Sequence, residues 1–463
     1  MPTITRKYQL KVVGDKEEVD RVYKYLRDGI ESQNRALNEA ISALYVAKML
    51  EMSSDDRKEL EKLFGRITGT KRETGFTSDI VFPVGLTTAS DVRVKAKQDL
   101  NNAFKKGLKY GRTSLPSYKA DNPLIIHVDY IRLRSTNPHQ DNGIYHEYET
   151  PTDLVESLEK DSNPKVLIKF VNGITFRIVF GNPWKGREQR KVFEKIFSEE
   201  YKVCGSSIEI DGGKIILNLC MDIPKAEHKL DKNVTVGVDL GLAIPAACAL
   251  NNNEYERLFV GNIDDFLRVR TQLQSQRRRL QRNLKTTGGG HGRGKKLKAL
   301  DRLRDRERNF VQTYNHMISR RVVDFAVKNG AGYINIEDLS GFGKDRKGET
   351  QKDKEIVLRN WSYYELQQNI TYKAQMHGIE VRKVKPEYTS QICSYCGERG
   401  IRKEQAKFVC INPACRCHKI YDKDYINADF NAARNIAMSV NFVEEDEKKK
   451  TKRTKKVTSK AKD

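Results

Sequence analysis

No stretch of the sequence approaches the roughly 18 consecutive apolar residues of a membrane span. The opening MPTITRKYQLKV also lacks the apolar core of a signal peptide, so neither membrane insertion nor secretion is expected. Cysteine is scarce, with eight in 463 residues, and five of these crowd into 393–417. Eight are too few to staple a chain of this length. In a reducing cytoplasm, where the chain is expected, the cluster points to a metal rather than to disulfides. Acid is the other shortfall. Against 85 Lys and Arg stand 62 Asp and Glu, leaving a formal net charge of +23. That excess calls for a polyanionic partner and disfavours an enzyme acting on small molecules alone. No internal repeat is present, and at about 150 residues per domain the length suggests about three domains.

The hydrophobic pattern changes character along the chain. TITRKYQLKVV at 3–13 alternates like a strand, whereas Val22, Leu26, Ile30, Leu37, Ile41 and Leu44 recur at helical spacing. Helical patterning continues over 53–64 and 88–108, so a helical segment is inserted after one strand. From about 116 to 224 the runs IIHVDYIRL, PKVLIKFV, ITFRIVFG, SSIEIDGG and KIILNLCM read as strands, with Gly212-Gly213 as a hairpin turn. A second unit begins near Lys232. There VTVGVDLG reads as a strand, with AIPAACAL and ERLFVG as neighbours. A helical hairpin over 262–329 is broken at TTGGGHGRG, then come the strand AGYINIED, the helix WSYYELQQNITYKAQMHG and the strand IEVRKVKP. Strands alternating with helices imply a layered α/β domain. The basic tail KKKTKRTKKVTSKAKD has almost no apolar residue and is expected to be disordered.

Two sets of residues carry chemistry. Cys393 and Cys396 form a C-x2-C pair, and Cys410 and Cys415 a C-x4-C pair, with thirteen residues between the pairs. Two such turns meet the tetrahedral demand of a structural Zn2+. Cys417 and His418, just beyond, are alternatives for the fourth ligand. The second set is acidic. Asp239 ends the apolar run VTVGVD, Glu337 ends YINIE in the same way, and Asp429 sits in NADFNAARNIA ahead of a helix. An apolar strand ending in a carboxylate delivers that carboxylate to a rigid sheet edge. Two or three together can hold a pair of Mg2+ ions about 3.5–4 Å apart, suited to in-line attack on a phosphodiester. A single carboxylate at a strand end is more often solvated or capping, so only the constellation points to catalysis.

GVDLG, INIEDLSGF, WSYYELQQNITYKAQMHGIEVRKVKPEYTSQICSYCG and NADFNAARNIA resemble the C-terminal half of the TnpB proteins of transposons. They equally resemble the miniature type V-F CRISPR effector nucleases related to them, and the likeness covers about 232–440. It implies an RNase H-like fold of the RuvC type with an inserted zinc ribbon, and Asp239, Glu337 and Asp429 as the Mg2+-binding catalytic triad. The family carries an Arg upstream of the third ribbon cysteine in a pattern like R-x2-Q-x2-F-x-C, which Arg402–Cys410 fits, so the resemblance implies Arg402 as the candidate that steadies the scissile phosphate. One departure is the long stretch between Cys415 and Asp429, which leaves Asp424 as a competing third carboxylate. The N-terminal half matches in layout only. The implied domains are a β-barrel wedge (1–14 and 111–231) with a helical recognition insertion (15–110), a RuvC-like nuclease (232–390), a zinc ribbon that binds target nucleic acid (391–418), the last RuvC motif (419–441) and the tail (442–463). The implied function is CRISPR-associated, RNA-guided cleavage of double-stranded DNA beside a short flanking motif, in antiviral defence. Partners would be a guide RNA and target DNA, with two protein copies on one guide. Rival readings are a transposon-encoded TnpB-type nuclease and a guide-independent, structure-selective nuclease or transposase.

Other features are weaker. Arg277, Arg278, Arg279, Arg282, Lys285, Arg293, Lys295, Lys296 and Lys298 spread along the hairpin, and only Asp301, Asp305 and Glu307 oppose them within 268–308. Such a stripe gives salt-dependent affinity for phosphate backbones without sequence choice. Gly289 to Lys295 mimics a P-loop, but Lys296 stands where Ser or Thr is required and no strand precedes it. Trp361, Tyr363 and Tyr364 offer faces for stacking on bases, but at helical spacing such aromatics are more often core, and they carry no assignment. Cys204, Cys220 and Cys248, in or beside strands, read as small buried hydrophobes.

Overall fold

In a computed structural model, which describes residues 2–49, 86–119, 121–133, 142–170, 173–182, 184, 186–241, 243–286, 293–338, 363–385, 388–404, 406–421 and 425–443, the chain divides into two units, Met1–Pro224 and Lys225–Asp463. The first unit contains strands β1 (Thr3–Val12), β2 (Leu124–Ile126), β3 (Gly143–His146), β4 (Val166–Lys169), β5 (Thr175–Val179), β6 (Lys202–Val203), β7 (Ser206–Asp211) and β8 (Lys214–Asp222). They form an antiparallel sheet in the order β2-β7-β8-β1-β5-β4-β3, with β6 also on β8. Gly212 and Gly213 join β7 to β8 with φ of 56° and 79°, the left-handed backbone a two-residue hairpin demands. Helices α1 (Lys16–Met49) and α2 (Ala89–Lys105) interrupt the sheet and pack through Ala36, Leu37, Ile41, Val92, Ala96 and Leu100.

Between the runs expected as strands, the stretch from 116 to 224 also contains two helices, α3 (Pro151–Lys160) and α4 (Arg187–Phe197). The signal for α3 was local: Thr150 and Asp153 form a reciprocal capping box with Pro151 at the first helical position. IIHVDYIRL yields a strand only to Ile126, because Val128–Tyr130 turns into a 3-10 helix. Cys248 is fully buried as expected, but Cys204 and Cys220 are only partly so.

The second unit has strands β9 (Asp231–Asp239), β10 (Ala246–Leu250), β11 (Arg257–Val260), β12 (Ala331–Glu337) and β13 (Glu380–Val384), in the order β11-β10-β9-β12-β13. β10 is antiparallel to β9 and to β11, so β11 neighbours β10 and not β9. β12 is parallel to β9 and to β13. Strand period decides which residues meet which layer. Val236, Val238, Cys248 and Leu250 pack beside α5 (Ile263–Thr286), α6 (Arg293–Lys328) and α7 (Tyr363–Met376), against Phe266, Ile318, Val322, Leu366 and Ile370. Ala247 and Ala249 face the other way, toward Phe430 and Ala433. The small sheet β14 (Gly400–Glu404), β15 (Lys407–Cys410) and β16 (Ile426–Asn427) follows, with α8 (Cys417–Ile420) between β15 and β16, and β16 runs directly into α9 (Ala428–Met438). No helix among the described residues is long and apolar enough to cross a membrane. The hairpin tip at 287–292, Trp361, Asp424 and the tail from 444 lie outside the described residues.

Candidate active site and metal centre

β9 is exposed over 231–233, buried from Val234 to Val238, and partly open again at Asp239. The parallel register pairs Ile336 with Val238, so Glu337 stands beside Asp239 at the ends of adjacent strands. Two carboxylates that the sequence separates by nearly a hundred residues are thus side by side on one sheet edge. The third arrives on α9. Asn427 caps that helix by accepting the Phe430 amide at 2.9 Å, which places Asp429 in the first turn, where the helix dipole favours negative charge.

Burial disfavours the ionised form of all three acids, and at Asp239 the neighbouring carboxylates add to it. Burial, then Glu337 and Asp429, push the Asp239 carboxyl up to about 8, with Arg402 opposing. Burial likewise raises Glu337, against the hydrogen bond from Thr389, and raises Asp429, against the charge of Arg402. For Asp239 this is on the order of 6 kcal/mol against the ionised form. Arg402, on β14, reaches Asp429 Oδ1 at 3.6 Å. Its side chain is 39 % exposed, so its charge is screened and compensates only in part. Asp239 therefore lies within electrostatic reach of Glu337, Asp429 and Arg402, and Arg402 faces Asp429.

Residues around this cluster were not singled out by sequence reasoning. Thr389 donates to Glu337 Oε1, and Gln367 of α7 donates to the Glu337 carbonyl at 2.8 Å. Asn335 Nδ2 donates to the Ile436 carbonyl at 3.0 Å near the end of α9. Asn431 and Asn435 hold the loop at 389–394, through bonds of 2.7–2.8 Å to Thr389, Ile392 and Ser394. The available signal was asparagine at 427, 431 and 435, one per helical turn in a segment whose other residues, Asp429 and Arg434 aside, are apolar. Of the aromatic candidates, Tyr363 packs partly buried against the core, whereas Tyr364 is 72 % exposed.

The cysteines also converge. The sulfurs of Cys393, Cys396, Cys410 and Cys415 lie within 4.8 Å of one another. Cys393–Cys415 is 3.9 Å and Cys396–Cys410 is 3.6 Å, close to the sulfur spacing of about 3.8 Å that a tetrahedron with Zn–S of about 2.3 Å requires. Cys410, Cys417 and His418 form a second, overlapping group. Burial pushes the Cys393, Cys410 and Cys417 thiols up to about 12. In Cys415 hydrogen bonds from Cys417 outweigh burial, and its thiol is lowered. On the hairpin, Arg270 and Arg277 share Glu307 at 3.1 and 4.0 Å, while Arg278, Arg279 and Arg282 have no ion-pair partner among the described residues.

A family model described as Cas12f1-like, TNB domain matches residues 363–436, and one described as Probable transposase (OrfB_IS605) matches residues 218–342. The chain is 37% identical over 354 residues to the CRISPR-associated endodeoxyribonuclease Cas12f1 of Sulfoacidibacillus thermotolerans, covering 74% of this chain and 75% of that one. It is 35% identical over 285 residues to a Cas12f1 of Syntrophomonas palmitatica, covering 54% and 55%. A TnpB-like protein of Methanocaldococcus jannaschii is 28% identical over 165 residues, covering 35% and 55%. A solved Cas12f1–sgRNA–target DNA complex has the same fold, with a TM-score of 0.61 at 20% identity over 93% of this chain and 84% of that one. The chain belongs to the Cas12f1 family of miniature type V-F effectors, related to TnpB.

Proposed function

We propose that Asp239, Glu337 and Asp429 are the cleaving centre of a CRISPR-associated, RNA-guided DNA endonuclease. Family membership carries the activity. What supports the residue assignment is one observation: Asp239 and Glu337 end adjacent strands, Asp429 begins a helix, and burial together with the charges of Glu337 and Asp429 opposes the ionisation of Asp239. A fold keeps such a repulsive set where a cation is to be bound. The strand order, a three-strand antiparallel meander followed by two parallel crossovers, supports the RNase H-like, RuvC-type reading of this unit.

The donor set is all oxygen, which fits Mg2+. Two bound ions would supply positive charge to a phosphodiester and lower the pKa of the attacking water. The chain's own part is to hold the donors still. Asp239 and Glu337 cannot separate without breaking the β9–β12 register, and Asp429 is fixed by the Asn427 cap. Arg402, more exposed than the Asp429 it faces, is placed to orient a phosphate arriving from solvent. The four thiols of Cys393, Cys396, Cys410 and Cys415 would hold a structural Zn2+ that fixes the ribbon bearing Arg402.

The remaining assignments complete this reading. The antiparallel sheet of the first unit is the β-barrel wedge, and its helical insertion the recognition domain that grips guide RNA. The unpaired arginines of the hairpin track phosphate backbone. The protein works in the prokaryotic cytoplasm as two copies on one guide RNA. The match to the transposase model over 218–342 favours one second reading, a transposon-encoded guide of the TnpB type; sequencing the RNA that copurifies separates the two. The decisive experiment is cleavage of a matched duplex with guide RNA and Mg2+, comparing wild type with Asp239→Ala. Cleavage is expected to disappear while guide binding persists. Full activity in the variant, or cutting without RNA, overturns the reading.

A further inference from the structure

Thr389 sits in the loop that leads from β13 to the first cysteine turn and is 6 % exposed. Its hydroxyl donates to Oε1 of Glu337 across 52 residues of sequence. Its carbonyl accepts from Asn435 Nδ2 at 2.8 Å, so its backbone is tied to the helix that carries Asp429. Asn435 also donates to the Ile392 carbonyl at 2.8 Å, and Asn431 accepts the Ser394 amide at 2.8 Å. The loop is therefore held at both ends by one face of α9. From the other direction Gln367 holds the Glu337 carbonyl.

A glutamate has one more rotatable bond than an aspartate, so a strand end fixes the Glu337 backbone but not its carboxylate. Among the three acids, Asp239 is set by the short side chain of a central strand and Asp429 by a capped helix start. Glu337 needs a further constraint, and the buried hydroxyl is the group that meets it. We propose that Thr389 is a positioning residue for Glu337, holding Oε1 so that the carboxylate stays turned toward Asp239 and Asp429. This rests on the reading of those acids as the ion-binding set. Hydrogen-bond partners of metal-binding side chains typically set affinity by about 10–100-fold.

The test uses the full-length protein with its guide RNA and four forms: wild type, Thr389→Val, Thr389→Ser and Asp239→Ala. Mn2+ binding is followed by electron paramagnetic resonance, and cleavage is measured against Mg2+ concentration. Thr389→Val keeps the shape and removes the donor. It is expected to weaken Mn2+ binding by about tenfold and to raise the Mg2+ needed for half-maximal cleavage by a similar factor. Thr389→Ser, which keeps the hydroxyl, is expected to stay close to wild type, and guide affinity and bound zinc to be unchanged in both. Wild-type Mn2+ affinity in Thr389→Val overturns the proposal, as does a Thr389→Ser as defective as the valine form. Mn2+ binding that survives in Asp239→Ala would instead remove the carboxylate site itself.

Discussion

Gly237 lies directly beneath Ala433. A Cβ built on Gly237 would stand 2.0 Å from the Ala433 carbonyl oxygen and 2.3 Å from the Ala437 amide nitrogen. The helix bearing Asp429 therefore rests on the strand bearing Asp239 with no room for a methyl group, and both obstacles are backbone. α9 matches this demand with Ala428, Ala432, Ala433 and Ala437, all buried. Close approach of small residues here sets how near Asp429 comes to Asp239.

Gly237→Ala is accordingly expected to force α9 away from the sheet. Overpacking of this kind costs about 1–3 kcal/mol, and the immovable backbone puts this case at the upper end. Urea unfolding should show the loss, and cleavage should fall further than stability because Asp429 is displaced. A variant with wild-type stability would mean that the helix and strand are not in contact as described.

Zinc content distinguishes the sulfur sets. Cys410 belongs to both groups, so Cys410→Ser is expected to lose the metal under either assignment. Cys415→Ser should lose it too, while Cys417→Ser should retain one zinc per chain, measured by atomic emission on purified protein. Zinc kept in Cys415→Ser and lost in Cys417→Ser would transfer the fourth ligand to Cys417.

A pH dependence is built into the first unit. His127 Nδ1 lies 3.0 Å from Asp91 and Nε2 lies 3.2 Å from Asp129. Burial by itself lowers the His127 pKa, but the hydrogen bond and charge of Asp91, followed by those of Asp129, outweigh it and raise the value. A histidine raised on folding contributes stability that is full below its unfolded pKa of about 6.5 and is lost as pH rises through the folded value. His127→Asn should therefore cost more stability at pH 6 than at pH 8, read by chemical unfolding at the two pH values. An equal cost at both would assign His127 a packing role only.

Much of the site could be read from the chain because the relevant signals are local. An apolar run that stops at Asp239 or Glu337 says where a strand meets water, and two cysteine pairs state their own geometry. Missing from that reading were α3, although its capping box at Thr150 was visible, and the small groups around the acids. Thr389, Gln367 and Asn435 carry no signature in isolation. A threonine becomes a carboxylate partner only when a loop is folded against a strand end.

The sequence by itself determined the ends of the strands, the acids and thiols available, and the positive charge that marks a polyanion partner. These follow from period, composition and spacing, which act over a few residues. Only the tertiary structure decided that Glu337 stands beside Asp239, that Arg402 faces Asp429 at 3.6 Å, and that Gly237 must stay bare. Those relations depend on parallel register and on the distance between a helix and a sheet. Such quantities emerge when distant segments share one core, and no short stretch of the chain encodes them.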